Sequence, residues 1–219
     1  MRTLICIPCM DMVHTTFLKS ILSLRKVGDV QFGLTCSSLV YDARNTLAKQ
    51  AVREGFDRIL WFDSDMDFMP DVMEKLSARL DEGLDFCSGI YFARKAPVKP
   101  IIYKNVGWLP HGEAENEITP MAVNYMDYPR DSLFEIEGAG FGIVMHSVAM
   151  IKAVGEKYGL PFSPILGFGE DLSFCMRARE LGYKLYCDSS IKAGHVGMGV
   201  ISEDTYLGGL TNGSNTNPA

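Results

Sequence analysis

Apolar positions along the chain fall into short blocks whose spacing switches between two periods. Residues 4–8 form a compact apolar run that Pro8 ends, and they read as a strand. Phe17, Ile21, Leu22 and Leu24 then recur at helical spacing, with Gly28 closing the segment. Residues 30–35 predict a second strand. A helix over about 42–54 carries Leu47, Ala48, Ala51 and Val52 on one face, and Gly55 ends it. The third strand, 58–62, consists of Ile, Leu, Trp and Phe after an arginine and has no polar face, as expected for a strand covered on both sides. Pro70-Asp71 opens a helix through Val72, Leu76 and Leu80 that stops at Gly83, and 85–92 supplies a fourth strand. Strand and helix alternating at short spacing predict an α/β fold with a mostly parallel central sheet flanked by helices and right-handed crossovers.

The rhythm loosens after Phe92. Pro97, Pro100, Pro110, Pro120 and Pro129 interrupt short β-like pieces, which predicts a small β-rich insertion with hairpins. Regular structure resumes with a strand at 133–137, the glycine-rich stretch Gly138-Ala139-Gly140-Phe141-Gly142, a strand at 143–146 and a helix at 148–154. Gly167-Phe168-Gly169-Glu170-Asp171 precedes a helix with Leu172, Cys175, Met176 and Leu181 inward. A last core strand covers 184–187, and Ile191 to Gly194 lead into His195. The end of the chain is rich in Gly, Asn, Thr and Ser, so residues 1–206 read as a single domain and 207–219 as a flexible tail.

Composition narrows the classes. Of 219 residues, 47% are apolar and 22% charged, an ordinary globular balance. Lys plus Arg number 21 against 27 Asp plus Glu, a net charge of −6 that argues against wholesale wrapping by nucleic acid. No run approaches the ~18 apolar residues of a membrane span. The first residues turn polar too soon for a signal peptide, so a cytoplasmic protein without membrane insertion is expected. Six cysteines are scattered, and only Cys6-Ile7-Pro8-Cys9 has a Cys-x-x-Cys spacing. No second pair completes a zinc site, and Cys6 falls inside an apolar strand, where a thiol serves as a small buried hydrophobe.

Candidate chemistry begins where the third strand stops, at Asp63-Ser64-Asp65 with Asp67 two residues on. Carboxylates at the carboxyl end of a buried strand lie where open α/β sheets place ligands. A hard divalent cation takes oxygen ligands and often binds through one or two carboxylates plus substrate phosphates. Taken singly, the same aspartates serve equally well as a strand stop and helix cap. The glycine stretch 138–142 fits neither a dinucleotide fingerprint nor a P-loop, and it marks close backbone approach. Glu170-Asp171 suits a helix start, and His195 suits either packing or a metal. Arg94, Lys95, Lys99 and Lys104 form a basic stretch, followed by Glu113, Glu115 and Glu117. They predict either a solvated loop or a surface that meets an anion.

The order Asp63-Ser64-Asp65, glycine loop, Glu170-Asp171 and His195 resembles nucleotide-sugar glycosyltransferases of the GT-A fold, of the family-2-like kind. The likeness runs over about residues 3–198. A helix bearing Arg44-Asn45 that feeds a strand ending in Asp-Ser-Asp looks like small phage and bacterial members of that group. The resemblance implies a GT-A (Rossmann-like) fold, a nucleoside-diphosphate sugar donor with UDP favoured, and Mn²⁺ or Mg²⁺. It implies that Asp65 and His195 serve the metal, with Asp63 at the metal or ribose. Pro8, Cys9, Arg44 and Ser64 would belong to the donor site. Asp171 would be the base, with Glu170 second to it; a direct displacement with that base inverts the anomeric centre, whereas a retaining enzyme would need another arrangement, and the sequence leaves both open. Gly138, Ala139, Gly140, Arg94 and Lys95 would lie on the acceptor side. Three features depart from the pattern: Asp67 offers a third carboxylate, Phe174-Cys175-Met176-Arg177 matches the family's signature only loosely, and the sequence is short with no expected membrane anchor, unlike many relatives that act on lipid-linked acceptors. The acceptor stays open among glycan, protein, small molecule and a hydroxylated base in nucleic acid. A sugar nucleotidyltransferase would need a glycine-rich basic loop after the first strand, where this chain has Pro8-Cys9-Met10-Asp11. A non-catalytic sugar-nucleotide-binding module would have no need to retain Asp63, Asp65, Asp171 and His195 together.

Overall fold

A computed structural model describes residues 1–110, 118–197 and 200–213, with the side chains of 110, 118 and 209–213 excepted. Glu113, Glu115 and Glu117 lie outside the described residues. The first half alternates as its pattern predicts: β1 (Arg2–Cys9), α1 (Thr15–Ser23), β2 (Asp29–Cys36), α2 (Val40–Arg53), β3 (Arg58–Phe62), a short β4 (Met66–Phe68), α3 (Val72–Asp81) and β5 (Phe86–Ile90). The second half comprises β6 (Ile102–Pro110), β7 (Ile118–Asn124), β8 (Leu133–Ile136), β9 (Gly138–Ala139), β10 (Ile143–Ser147), α4 (Val148–Tyr158), α5 (Glu170–Glu180), β11 (Leu185–Val196), β12 (Val200–Ile201) and α6 (Glu203–Gly213).

The main sheet runs β12-β11-β5-β10-β3-β1-β2. β1 is parallel to β2 and β3, and β11 is parallel to β5. β10 lies antiparallel between β3 and β5, so β2, β1, β3, β5 and β11 all point one way. The β-rich insertion is a separate antiparallel sheet, β7-β6-β9.

The apolar strands are filled from both sides. Along β3, Ile59 and Trp61 join one core with Leu47 and Ala51 of α2, Ile151 of α4 and Phe174 of α5. Leu60 and Phe62 join the other, with Phe17 of α1 and Leu76 of α3. Alternate residues of a strand face opposite ways, so a strand with no polar face needs a helical layer on each side. Gly55 and Gly83 end α2 and α3 with φ of 69° and 101°, a region costly for any residue with a Cβ.

Three elements depart from the expected pattern. β4 follows the aspartates where a cap and helix were expected. β11 joins the two expected strands at 184–187 and 191–195 into one, with a register shift between Cys187 and Lys192. Regular structure also passes the expected boundary at 206, because α6 runs to Gly213. Its Tyr206 stacks on Phe92 (centroids 4.8 Å apart) and donates to the Met126 carbonyl at 3.0 Å. Residues 214–219 lie outside the described residues. Among the described residues no helix is long and apolar enough to cross a membrane.

Candidate active site

The carboxyl ends of β1, β2 and β3 open on a cleft of about 440 Å³. Its floor is made by the turn after β3. Asp63 N–H donates to the Gly142 carbonyl (3.2 Å) and Met66 N–H to the Asp63 carbonyl (3.2 Å), which folds Asp63, Ser64 and Asp65 into a tight reversal. Stacked rings of Phe62 and Phe68, 4.2 Å between centroids, hold the two ends of that turn together. β4 then pairs with β11, Met66 opposite His195, and this pairing brings His195 to the aspartates from 130 residues away in sequence.

His195 Nε2 lies 3.3 Å from Asp65 Oδ2, while its Nδ1 lies 2.9 Å from the Phe92 carbonyl. A carbonyl can only accept, so Nδ1 carries a proton and Nε2 is the nitrogen turned to the cleft. Arg94, half exposed, also donates to Asp65 Oδ2. Burial works against the Asp65 charge, but His195 and Arg94 outweigh it and hold the carboxyl below the usual range. His195 is itself raised: burial opposes its proton and the Asp65 bond more than compensates.

Asp67 is excluded from this group. It sits on β4 facing α1, where Ser20 Oγ donates to its Oδ1 at 3.0 Å. That position therefore adds no third carboxylate to Asp65 and His195.

Arg44 comes up from α2 and is 2% exposed. Its Nη2 donates to Asp63 Oδ1 at 2.7 Å and its Nε to Glu170 Oε1 at 3.1 Å. The guanidinium lies against both Trp61 and Phe141, 5.5 and 5.4 Å from the ring centroids. Burial opposes its charge, and the Asp63 and Glu170 carboxylates reverse the balance, so its pKa rises above the ordinary arginine value. Among the described residues the buried Nη1 has no hydrogen-bond partner. Arg44 thus reaches the cleft wall chiefly as the cation that orders two carboxylates.

Glu170 and Asp171 open α5 after the Gly169 N-cap. Glu170 is held by Arg44. Asp171 accepts from the Leu172 N–H at 2.7 Å, and burial, then the neighbouring Glu170 charge, push its pKa up to about 6. Two adjacent carboxylates are thereby split: one is locked in an ion pair, the other is poised near neutrality.

The glycine loop has a different place from the one expected. Gly138, Ala139 and Gly140 are buried and do not line the cleft. A Cβ on Gly140 would lie 2.1 Å from Tyr91 Oη, and one on Gly142 2.8 Å from Tyr91 Cζ. Gly142 N–H donates to that same hydroxyl at 3.2 Å, and the Tyr91 ring meets His195 edge-on at 5.5 Å. The glycines make room for Tyr91, which supports His195 from beneath; nothing in the sequence singled out Tyr91.

Pro8, Cys9 and Ser64 line the cleft, joined by Met10, Ser37, Ser38 and Val40, none of which the sequence assigned to a site. Lys95 is exposed and outside the cleft lining. Lys104 pairs with Asp127 at 3.2 Å in a larger polar groove of about 610 Å³ beside β6 and the end of α5. The basic stretch is therefore divided, with only Arg94 of these three entering the cleft.

Among the described residues no cluster of three or more His, Cys, Asp or Glu is arranged around a metal position. Asp65 and His195 do converge, and the Arg94 guanidinium beside Asp65 shows a carboxylate already paired with positive charge. That donor set fits a hard divalent cation drawing its other ligands from phosphates and water. Asp63, tied to Arg44, is less free to join it.

No protein-family model matches the chain, and no curated protein matches it in sequence. In three dimensions it is similar to the crystal structure of A197 from STIV, with a TM-score of 0.64 and 20% identity over 90% of this chain and 86% of that one. It is also similar to S. aureus TarS 1-349, with a TM-score of 0.50 and 16% identity. That match covers 86% of this chain, which spans 60% of the TarS structure. At these identities what the two structures share with this chain is architecture. The mainly parallel mixed sheet and its flanking helices are those of the GT-A fold.

Proposed function

We propose that the chain is a glycosyltransferase that moves a sugar from a nucleoside-diphosphate donor to an acceptor hydroxyl with the help of a divalent cation. The observation that carries this reading is the placing of Asp171: a carboxylate outside the Arg44 ion pairs lines the same cleft as Asp65 and His195, next to Glu170 held by Arg44, and burial raises its pKa to about 6.

The nucleoside fits the end of the cleft formed by Pro8, Cys9 and the Ser37 and Ser38 hydroxyls, with Asp63 and Ser64 toward the ribose. Asp65 and His195 would hold Mn²⁺ or Mg²⁺, which supplies neutralising charge to a diphosphate leaving group. Asp171 accepts the acceptor proton as the hydroxyl attacks the anomeric carbon. A carboxylate of pKa about 6 is ionised at neutral pH and still basic enough to help. Attack opposite the leaving group inverts the anomeric centre. Glu170 is a poorer base because Arg44 occupies one of its oxygens.

The rivals have less support. A nucleotidyltransferase needs a phosphate-cradling loop where this chain has Pro8-Cys9-Met10, and a passive binding module has no use for a raised Asp171. Arg94 and Lys104 point to different grooves, so a hydroxylated base in nucleic acid has little support as acceptor, and glycan, protein or small-molecule hydroxyls fit better. A thermal-shift screen of nucleotide sugars, UDP-sugars first, with and without Mn²⁺ tests the reading. A ligand at a hundred times its Kd stabilises by about 2.7 kcal/mol. A screen in which no nucleotide or nucleotide sugar raises Tm would refute it.

A further inference from the structure

Cys9 and Cys36 end two neighbouring parallel strands as direct partners in the register of β1 and β2. Paired residues on adjacent strands lie about 4.8 Å apart, within the Cα range a disulfide accepts. Their sulfurs are 3.5 Å apart. The Ser37 N–H donates to the Cys9 carbonyl at 3.0 Å just beyond them, which keeps the two strand ends side by side. Cys9 lines the cleft and is 9% exposed, whereas Cys36 is open to solvent. Cys6, the sequence neighbour of Cys9 in the Cys-x-x-Cys spacing, has no such access. Three residues along a strand turn its side chain to the opposite face, and it is fully buried in the core beside α2.

We infer that Cys9 and Cys36 are a redox-active dithiol in the cleft wall, oxidised to an intrachain disulfide by low-molecular-weight disulfides of the glutathione type. The exposed Cys36 thiolate attacks one sulfur of the oxidised glutathione, forming a mixed disulfide and releasing one glutathione thiolate. Cys9, after giving up its proton to solvent, attacks the Cys36 sulfur, forms the Cys9–Cys36 bond and releases the second glutathione. Two protein thiols and one small disulfide become one protein disulfide and two small thiols. Burial, and then the neighbouring Cys36, hold Cys9 at about 11, so the exposed partner is the point of entry and Cys9 the resolving thiol. Because Cys9 faces the cleft, the reduced and oxidised forms present different walls there. The chemistry needs only the two thiols and stands apart from the sugar-transfer reading.

The test is to incubate the folded protein with oxidised glutathione and map its thiols by peptide mass spectrometry. The wild type should lose two hydrogens, yield a Cys9–Cys36 linked peptide and recover both thiols with dithiothreitol. Cys9→Ser should stop at a glutathione adduct on Cys36, and Cys36→Ser should give neither product. Buried Cys6, Cys87, Cys175 and Cys187 serve as internal controls. A wild type that stops at the Cys36 adduct, stays unmodified, or links Cys6 to Cys9 would overturn the inference.

Discussion

Arg44 Nε donates to Glu170 Oε1 at 3.1 Å, joining two residues 126 positions apart, and this bond separates the roles of Glu170 and its neighbour Asp171. With Glu170 held there, Asp171 is the carboxylate that the proposed transfer would use as its base.

The Asp171 pKa gives the clearest pH dependence. Transfer needs the ionised carboxylate, so kcat/KM should rise with pH, reach half its plateau near pH 6 and level off above it. Stability moves the other way. A carboxyl raised from 3.8 to about 6 on folding holds its proton more tightly in the native state, so stability falls as pH rises through that interval. Asp171→Asn should lose turnover yet gain about 1–2 kcal/mol of stability at pH 7, allowing for the open side of the cleft. Urea denaturation at pH 4 and pH 7 should show the gain only at the higher pH.

Arg44 should matter to folding as well as to the site. Arg44→Met leaves Asp63 and Glu170 facing each other's charge without the guanidinium. Removing one partner from a buried pair costs about 3 kcal/mol here, the low end of the usual range because both carboxylates border the cleft. Arg44→Lys should recover part of the stability, since an ammonium cannot serve both carboxylates from one planar fork. Equal stability of Arg44→Met and wild type in urea would contradict the ion-pair account.

Asp65 and Asp67 should separate cleanly. Asp65→Asn or His195→Ala should weaken Mn²⁺-dependent nucleotide binding by at least the ten- to hundredfold, roughly, that loss of a supporting partner costs a metal site. Asp67→Asn loses only part of its bond with Ser20 and should shift stability by about 1 kcal/mol while leaving nucleotide affinity intact. Calorimetric titration of UDP with Mn²⁺ into the three variants distinguishes them.

The glycine loop should fail by overpacking. Gly140→Ala should cost about 1–3 kcal/mol, because its methyl meets Tyr91 Oη and Ile101 Cγ2. Adding Tyr91→Phe removes the nearer atom and should return part of that loss, a coupling that a double-mutant cycle reads directly.

Much of this was legible in the pattern of residues. The runs at 4–8 and 58–62 with helices between them announce buried strands of a covered sheet, and the carboxylates after Phe62 fall at the strand ends, in the lining of the cleft. Strand direction was not legible, since β10 is a short apolar run like its parallel neighbours and only its pairing shows that it is reversed. β4 was missed because three alternating aspartates resemble a loop, whereas apolar Met66 and Phe68 are buried and pair with β11. The end of the chain looked too polar and glycine-rich to order, and one aromatic anchor, Tyr206, sets the start of α6 against Phe92. Arg44 was expected near the donor, but the depth of its burial and its hold on Glu170 depend on contacts across the whole fold. The Cys9–Cys36 pair likewise needs the β1–β2 register.

The most direct measurement is release of nucleoside diphosphate from a panel of nucleotide sugars with Mn²⁺, comparing wild type with Asp171→Asn. The account expects at least one donor to be cleaved by wild type. It expects Asp171→Asn to bind that donor with a Kd within about threefold of wild type while cleaving it about a hundredfold or more slowly. Absence of cleavage for every donor, or cleavage by Asp171→Asn at the wild-type rate, would contradict it.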